Sequence, residues 1–110
     1  MANTYKILGS SNPSAATLTT AYTVASATQV IVSTITIANR SAVGTSFRIA
    51  IANNGGAAGN EEYIAYDVPI GGNQTIVLNR LGITMDATDE IQVYATLATL
   101  SFNIFGVEIT

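Results

Sequence analysis

Apolar residues along this chain recur with a period close to two, and β-branched side chains predominate among them. A period of two places successive side chains on opposite faces of an extended strand, whereas a helix repeats every 3.6 residues. The clearest run covers residues 28–39, where Ile31, Ser33, Ile35 and Ile37 alternate with valines and threonines. We expect a long central strand with one isoleucine-rich face and one Val/Thr face.

Further segments alternate in the same way and are separated by turn residues. They cover 4–8, 17–24, 46–52, 62–68, 73–79, 89–97 and 100–109, and the connection 81–86 has room for one short strand at most. Turn signals recur roughly every 8 to 12 residues, which is the spacing of an antiparallel sandwich. The sequence therefore predicts a single all-β domain over residues 1–110, a jelly-roll or Ig-like antiparallel β-sandwich of about eight strands.

The C-terminal segment is apolar on both of its predicted faces. Phe102 and Ile104 share one face, and Phe105, Val107 and Ile109 share the other. This pattern implies burial on both sides, or a partner chain on one side. We expect Phe105, Val107 and Ile109 to contact another chain, for example by adding this strand to the edge of a neighbouring sheet.

Tyr63 and Tyr66 are the other predicted partner-contact residues. Three positions apart in a regular strand, they lie on opposite faces, so at least one should be exposed or in an interface. A partly buried core position is the alternative for Tyr66, and the core is the expected place for Tyr94. The loop 53–60, rich in Gly and Asn, is predicted to be mobile.

The composition excludes most catalytic chemistry. Only 10% of residues are charged, against roughly 25% in ordinary globular proteins. The chain has no Cys and no His, which removes thiolates, imidazole ligands and the commonest catalytic base. We therefore expect no enzymatic activity and no cofactor.

Charge and hydropathy also limit the partners. The four basic residues are scattered and the net charge is −3, so no cationic footprint for nucleic acid is predicted. No apolar run approaches the roughly 20 residues that span a bilayer, and the N-terminus lacks the pattern of a signal peptide. We expect neither nucleic acid nor membrane as a partner, and synthesis in the cytoplasm.

The carboxylates give one weak metal candidate. Glu61 and Glu62 are adjacent in a strand entry and are expected to point in opposite directions as solvated charges. Asp86 and Asp89 lie three apart in a turn, where aspartates usually cap turn amides. A Ca²⁺ or Mg²⁺ site at Asp86 and Asp89 is the alternative, although the spacing is not that of an EF-hand loop.

Most of the chain resembles small virion structural proteins of tailed bacteriophages, including cyanophages. The resemblance is carried by MANTYKILG (1–9), IANR (37–40), YDVPI (66–70), NQTIVL (73–78), GITMDATDEIQVYA (82–95) and FNIFGVEI (102–109). It implies a non-enzymatic component of the virion, made in the host cytoplasm. Its partners would be the major capsid protein or tail proteins, and it implies no catalytic residue at any position.

Within this class, the first expectation is a capsid decoration (cement) protein that binds the head lattice in many copies. The alternative is a tail, baseplate or fibre-associated component, including a receptor- or carbohydrate-binding module that uses loop 53–60 with Tyr63 or Tyr66. A homo-oligomer is expected in either case, because it would cover excess apolar surface.

Overall fold

The structure, a computed structural model, describes residues 2–110. It contains strands and one turn of 3-10 helix, Asn60–Glu62. The strands are β1 (Asn3–Ser11), β2 (Thr19–Thr23), β3 (Gln29–Asn39), β4 (Thr45–Ala52), β5 (Tyr63–Ile70), β6 (Thr75–Leu78), β7 (Ile83–Met85), β8 (Glu90–Ala95) and β9 (Leu100–Ile109).

The strands pair from the two ends of the chain inward. β1 pairs with β9, β2 with β8, β3 with both β6 and β7, and β4 with β5, all antiparallel. Sheet 1 has the order β1-β9-β3-β6 with β7 also on β3, and sheet 2 has the order β2-β8-β4-β5. A long hairpin whose successive pairs alternate between two sheets is a jelly roll. The predicted all-β antiparallel sandwich is confirmed, and the strand order is that of the jelly-roll alternative.

The core lies between the two sheets. Phe47 of β4 and Phe102 of β9 meet there edge to face, with ring centroids 6.1 Å apart. Both are essentially fully buried, and they are surrounded by Ile, Val and Leu side chains from both sheets. Removing this apolar surface from water is the main force that holds the sheets together.

A β-bulge in β3 changes which side chains reach the core. The register of β3 against β9 shifts by one residue at Ser33. Before the bulge Val30 and Val32 are buried, and after it Ile35 and Ile37 are buried. The predicted isoleucine-rich face is therefore wrong, because one extra residue exchanges the inward and outward sets of a strand.

Strand β9 has the predicted bounds but not the predicted neighbours. It lies in the middle of sheet 1, hydrogen-bonded to β1 on one side and to β3 on the other. Both of its edges are thus occupied, and the suggestion that it adds to a neighbouring sheet is wrong. Contacts of β9 with another chain are left to its outward side chains.

Candidate functional site

Apolar side chains from three strands lie next to one another on the outer face of sheet 1. Opposite residues in paired strands have Cβ atoms about 5 Å apart, so these side chains form one continuous surface. We define the apolar patch as the set Tyr5, Ile7, Ile31, Phe105, Val107 and Ile109.

The register explains how the apolar patch is assembled. Val107 of β9 pairs with Tyr5 of β1 on one side and with Ile31 of β3 on the other. Ile7 pairs with Phe105 one step along the same face. Tyr5 is 80% exposed, Ile7 59% and Ile31 38%, whereas the three β9 side chains are half-buried between them. The predicted contact residues Phe105, Val107 and Ile109 therefore form the centre of a wider surface whose most exposed members come from β1.

Charged side chains are absent from the outer face of the described strands of sheet 1. Its remaining outward positions carry Val77, which is 54% exposed, and small or uncharged polar residues, namely Asn3, Ser10, Gln29, Thr34, Thr36, Ala38, Thr75, Thr84, Ser101 and Asn103. The charged residues of sheet 1 strands, Lys6 and Glu108, alternate to the opposite side. The strands of this face thus carry no outward charge, and the acids Asp86 and Asp89 lie at one end of it, where they line a pocket with Ile31 and Ile109.

Lys6 and Glu108 take part in a contact between the two sheets. The Lys6 ammonium lies 3.4 Å from a Glu108 carboxylate oxygen, and the Tyr22 hydroxyl of β2 donates to the other oxygen at 3.1 Å. Burial, together with the hydrogen bond to Glu108 and the charge of that carboxylate, raises the pKa of Tyr22 to about 12. The contacts among Lys6, Tyr22 and Glu108 join the two sheets at one corner of the sandwich and leave none of these three groups without a partner.

The outer face of sheet 2 carries a different set of side chains around Arg48, which points outward as predicted. Its guanidinium carbon lies 4.1 Å from the ring centroid of Tyr66 and 4.3 Å from that of Tyr94. Its Nε donates to Asp67 at 2.6 Å, and a second nitrogen donates to the other Asp67 oxygen at 3.4 Å. The hydrogen bond with Asp67 is the main cause of the raised pKa of Arg48. We call Arg48, Tyr63, Tyr66, Asp67 and Tyr94 the arginine cluster.

Two bulges in β5 build the tyrosine side of the arginine cluster. The register against β4 shifts at Ile64 and again at Asp67, whose φ is 51°. The first bulge leaves Tyr63 and Tyr66 on the same face, with ring centroids 5.0 Å apart and nearly perpendicular planes. The prediction that they lie on opposite faces is therefore wrong, because it assumed an unbroken alternation.

The burial of these tyrosines also differs from part of the prediction. Tyr66 is 56% exposed, so of its two predicted environments the surface is the observed one. The core position expected for Tyr94 is wrong, because alternation along β8 sends Ile91 and Val93 inward and Tyr94 outward beneath Arg48. A lone arginine on the neighbouring strand is the signal that favours an outward Tyr94.

The arginine cluster is largely satisfied by its own members. The rings of Tyr66 and Tyr94 both lie against the Arg48 guanidinium, and Asp67 accepts from two of its nitrogens. These contacts link β5, β4 and β8 across the outer face of sheet 2. The exposed parts of Tyr63 and Tyr66 are what this surface offers to a ligand.

The loop 53–60 folds back over the other half of this face. Gln92, only 4% exposed, accepts from the Ala58 amide at 3.1 Å, and its own amide donates to the Gly56 carbonyl. On the same side of the sheet, Ala50 and Ala52 have no exposed surface. The loop, predicted to be mobile from its own composition, is held by strand residues that this prediction did not include.

Glu62 closes the loop at its end. Its carboxylate accepts from the backbone amides of Asn53 at 2.8 Å and Gly59 at 2.9 Å, and these two hydrogen bonds lower its pKa. Glu62 therefore has a structural partner, in contrast to the solvated charge that was expected. Its neighbour Glu61 is exposed.

The carboxylates of Asp86 and Asp89 bind backbone amides. One oxygen of Asp89 accepts from the amide of Asp86 and the other from the amide of Asn54, both at 2.9 Å. Asp86 accepts from the Ala87 amide at 2.8 Å. This is the turn-capping arrangement expected first, and no group of three or more metal-ligating side chains occurs in residues 2–110.

Comparisons with known proteins give no relative. Family models, curated proteins and solved structures were compared with this chain, and none of them matches. Among the described residues, no helix is long and apolar enough to cross a membrane.

Proposed function

We propose that this protein is a non-enzymatic structural component of a tailed-phage particle, and within that class a capsid decoration protein that binds in many copies. The observation that carries the proposal is the apolar patch on the outer face of sheet 1, whose strands carry no outward charge. Contiguous exposed apolar surface of this kind marks protein–protein contacts. A flat sheet face suits another protein surface, whereas a small-molecule site is usually concave.

The side-chain chemistry supports an assembly role over catalysis. A nucleophilic hydroxyl requires a base within hydrogen-bond reach, and the chain has no His to provide it. The carboxylates of Glu62, Asp67, Asp89 and Glu108 are occupied by backbone amides, Arg48, Tyr22 or Lys6. Each of these four carboxylates thus stabilises the fold, which is the pattern of a structural protein.

The resemblance of the sequence to small phage virion proteins supports the choice of particle. A compact jelly roll with few charges is suited to repeated packing on a lattice, because each copy contributes apolar contact area without adding strong mutual repulsion. Head decoration requires many such copies, and a tail component requires few.

Counting the copies in purified particles tests the proposal. Quantitative mass spectrometry should find the protein at a multiplicity comparable to that of the major capsid protein. Particles made without its gene should lack it and bind the added recombinant chain. Absence of the protein from wild-type particles would exclude a virion component, and a multiplicity of a tail structure would exclude head decoration.

A second candidate, a receptor- or carbohydrate-binding module of a tail fibre, is favoured by one observation. Tyr63 and Tyr66 present exposed aromatic surface beside loop 53–60, and aromatic rings with nearby amides are common in binding surfaces. A glycan array tests this candidate. Retention of specific glycans by the wild-type chain, lost in Tyr66→Ala, would favour it over the purely structural function.

A further inference from the structure

We propose that the apolar patch is the contact between two copies of this chain. The outer face of sheet 1 in one copy would pack against the same face of the other, around a two-fold axis. The inference rests on the proposed function, because it names the partner of the face from which that function is argued. It requires no segment or ligand beyond the chain itself.

The distribution of charge is the main argument for a second copy as the partner. In a two-fold contact, a residue near the axis meets its own counterpart, so any charged residue there faces a like charge. The chain has eleven charged residues, four basic and seven acidic, and none occupies an outward position of a sheet 1 strand; Asp86 and Asp89 lie at one end of the face, where they line a pocket with Ile31 and Ile109. Contacts between different proteins are usually oriented by complementary charges, which this face does not provide.

The outer face of sheet 2 shows why the choice of face matters. Arg48, Asp67 and Glu90 project from it, and loop 53–60 covers part of it. Packing this face against its own copy would bring like charges together and would strip water from Asp67 and Glu90. The same molecule therefore has one face compatible with self-contact and one that is not.

The size of the whole outer face of sheet 1 and the position of the apolar patch within it agree with a two-fold contact. Four strand positions and about nine residues per strand give a face of roughly 600 Å² before side-chain relief is counted. This is of the same order as the about 800 Å² that each partner contributes to a standard interface. Val107 lies on a central strand with Tyr5 and Ile31 on either side. A two-fold axis near Val107 would therefore let the patch side chains of the two copies interdigitate.

Sedimentation equilibrium with the full chain tests the proposal. The wild type should form a dimer whose affinity stays constant from low to high sodium chloride, because no charge is buried or paired in the contact. Val107→Asp should weaken dimerisation by roughly 100-fold or more, because each copy would bury an unpaired carboxylate. The matched control is Val43→Asp, since Val43 is 60% exposed in the β3–β4 connection, outside the strands that form this face. This variant should dimerise like the wild type.

A second variant keeps the test decisive if Val107→Asp fails to fold. Tyr5→Lys changes the most exposed member of the apolar patch on an edge strand, and it should remain folded by circular dichroism and lose the dimer. A wild type that stays monomeric, or Tyr5→Lys that dimerises normally, would overturn the proposal. So would a strong decrease of wild-type affinity with salt.

Cross-linking tests the two-fold geometry itself. The chain has no native cysteine, so Val107→Cys introduces a single thiol. A short bismaleimide should join two copies of Val107→Cys efficiently and should leave Val43→Cys mostly uncoupled. Equal coupling of both variants would overturn the face-to-face arrangement.

The outcomes for pairing and for virion function can be separated. A chain that dimerises through the apolar patch but neither occurs in particles nor binds them would retain this inference and refute the proposed function. A chain that is monomeric in solution yet binds particles lacking it would refute the dimer and support the proposed function.

Discussion

The two outer faces of this sandwich differ although they are built on sheets of similar size. The strands of sheet 1 carry no outward charge and their outer face is uncovered, and its exposed residues include Tyr5 and Ile7. The face of sheet 2 is partly covered by loop 53–60 and is held by the contacts of Arg48. One β4–β5 connection and one arginine thus make the difference between a face that is completed within the chain and one that is available to a partner.

Gly106→Ala should have the largest effect, because it disturbs the sheet beneath the uncovered face. A Cβ at Gly106 would lie 2.2 Å from the Ile31 carbonyl oxygen and 3.0 Å from Leu8 Cδ1. We expect a loss of about 2–3 kcal/mol in the free energy of unfolding, measured by urea denaturation. The matched control is Gly44→Ala, whose Cβ would be 3.5 Å from its nearest atom. Equal stability of the two variants would contradict the tight approach of β9 and β3.

Gln92→Ala should expose the covered face. It leaves the Ala58 amide and the Gly56 carbonyl without their side-chain partner, at a cost of about 2 kcal/mol. Hydrogen exchange at the Ala58 amide should become faster, and urea denaturation should show the lost stability. The control Gln29→Ala, on the face of sheet 1, should change stability by less than about 0.5 kcal/mol. Unchanged exchange at Ala58 would show that the loop is held by other contacts.

Alkaline pH should weaken the corner that joins the two sheets. Because the pKa of Tyr22 is raised in the folded state to about 12 from an ordinary 10.0, the neutral phenol stabilises the fold below pH 10.0. That stabilisation is lost as pH rises from 10.0 through about 12, and solvent screening limits it to about 1 kcal/mol.

Ultraviolet titration of the wild type should show a late tyrosine ionisation step near pH 12. Glu108→Gln should lower that late pKa, since the charge of Glu108 helps to raise it. Tyr22→Phe should remove the late step altogether. A titration with no late step in the wild type would refute the contact.

Arg48→Lys should have the smallest effect on stability. A lysine keeps the charge near Asp67 but loses the two-nitrogen contact and the contacts of a planar guanidinium with the rings of Tyr66 and Tyr94. We expect a smaller decrease in the urea midpoint than for Gln92→Ala, with Arg80→Lys in the exposed β6–β7 connection as control. Equal midpoints for Arg48→Lys and wild type would show that the stacking adds no stability.

The sequence predicted the class of fold and the bounds of β9 because apolar alternation and turn residues are local signals. It did not predict the bulges at Ser33, Ile64 and Asp67, since each depends on how a strand pairs with its neighbour. Those bulges decide which side chains face outward, so the placement of Ile31, the contact of Tyr63 with Tyr66 and the full apolar patch required the structure. The loop contact of Gln92 was equally hidden, because it joins residues 34 to 36 positions apart.

The position of β9 between β1 and β3 has a consequence for synthesis. These two strands are not neighbours in sheet 1 and meet only through β9. At about 5–20 residues per second, several seconds pass on the ribosome between the appearance of β3 and that of β9. During this interval β3 can pair with β6 and β7, but β1 has no partner in sheet 1 until β9 has been made.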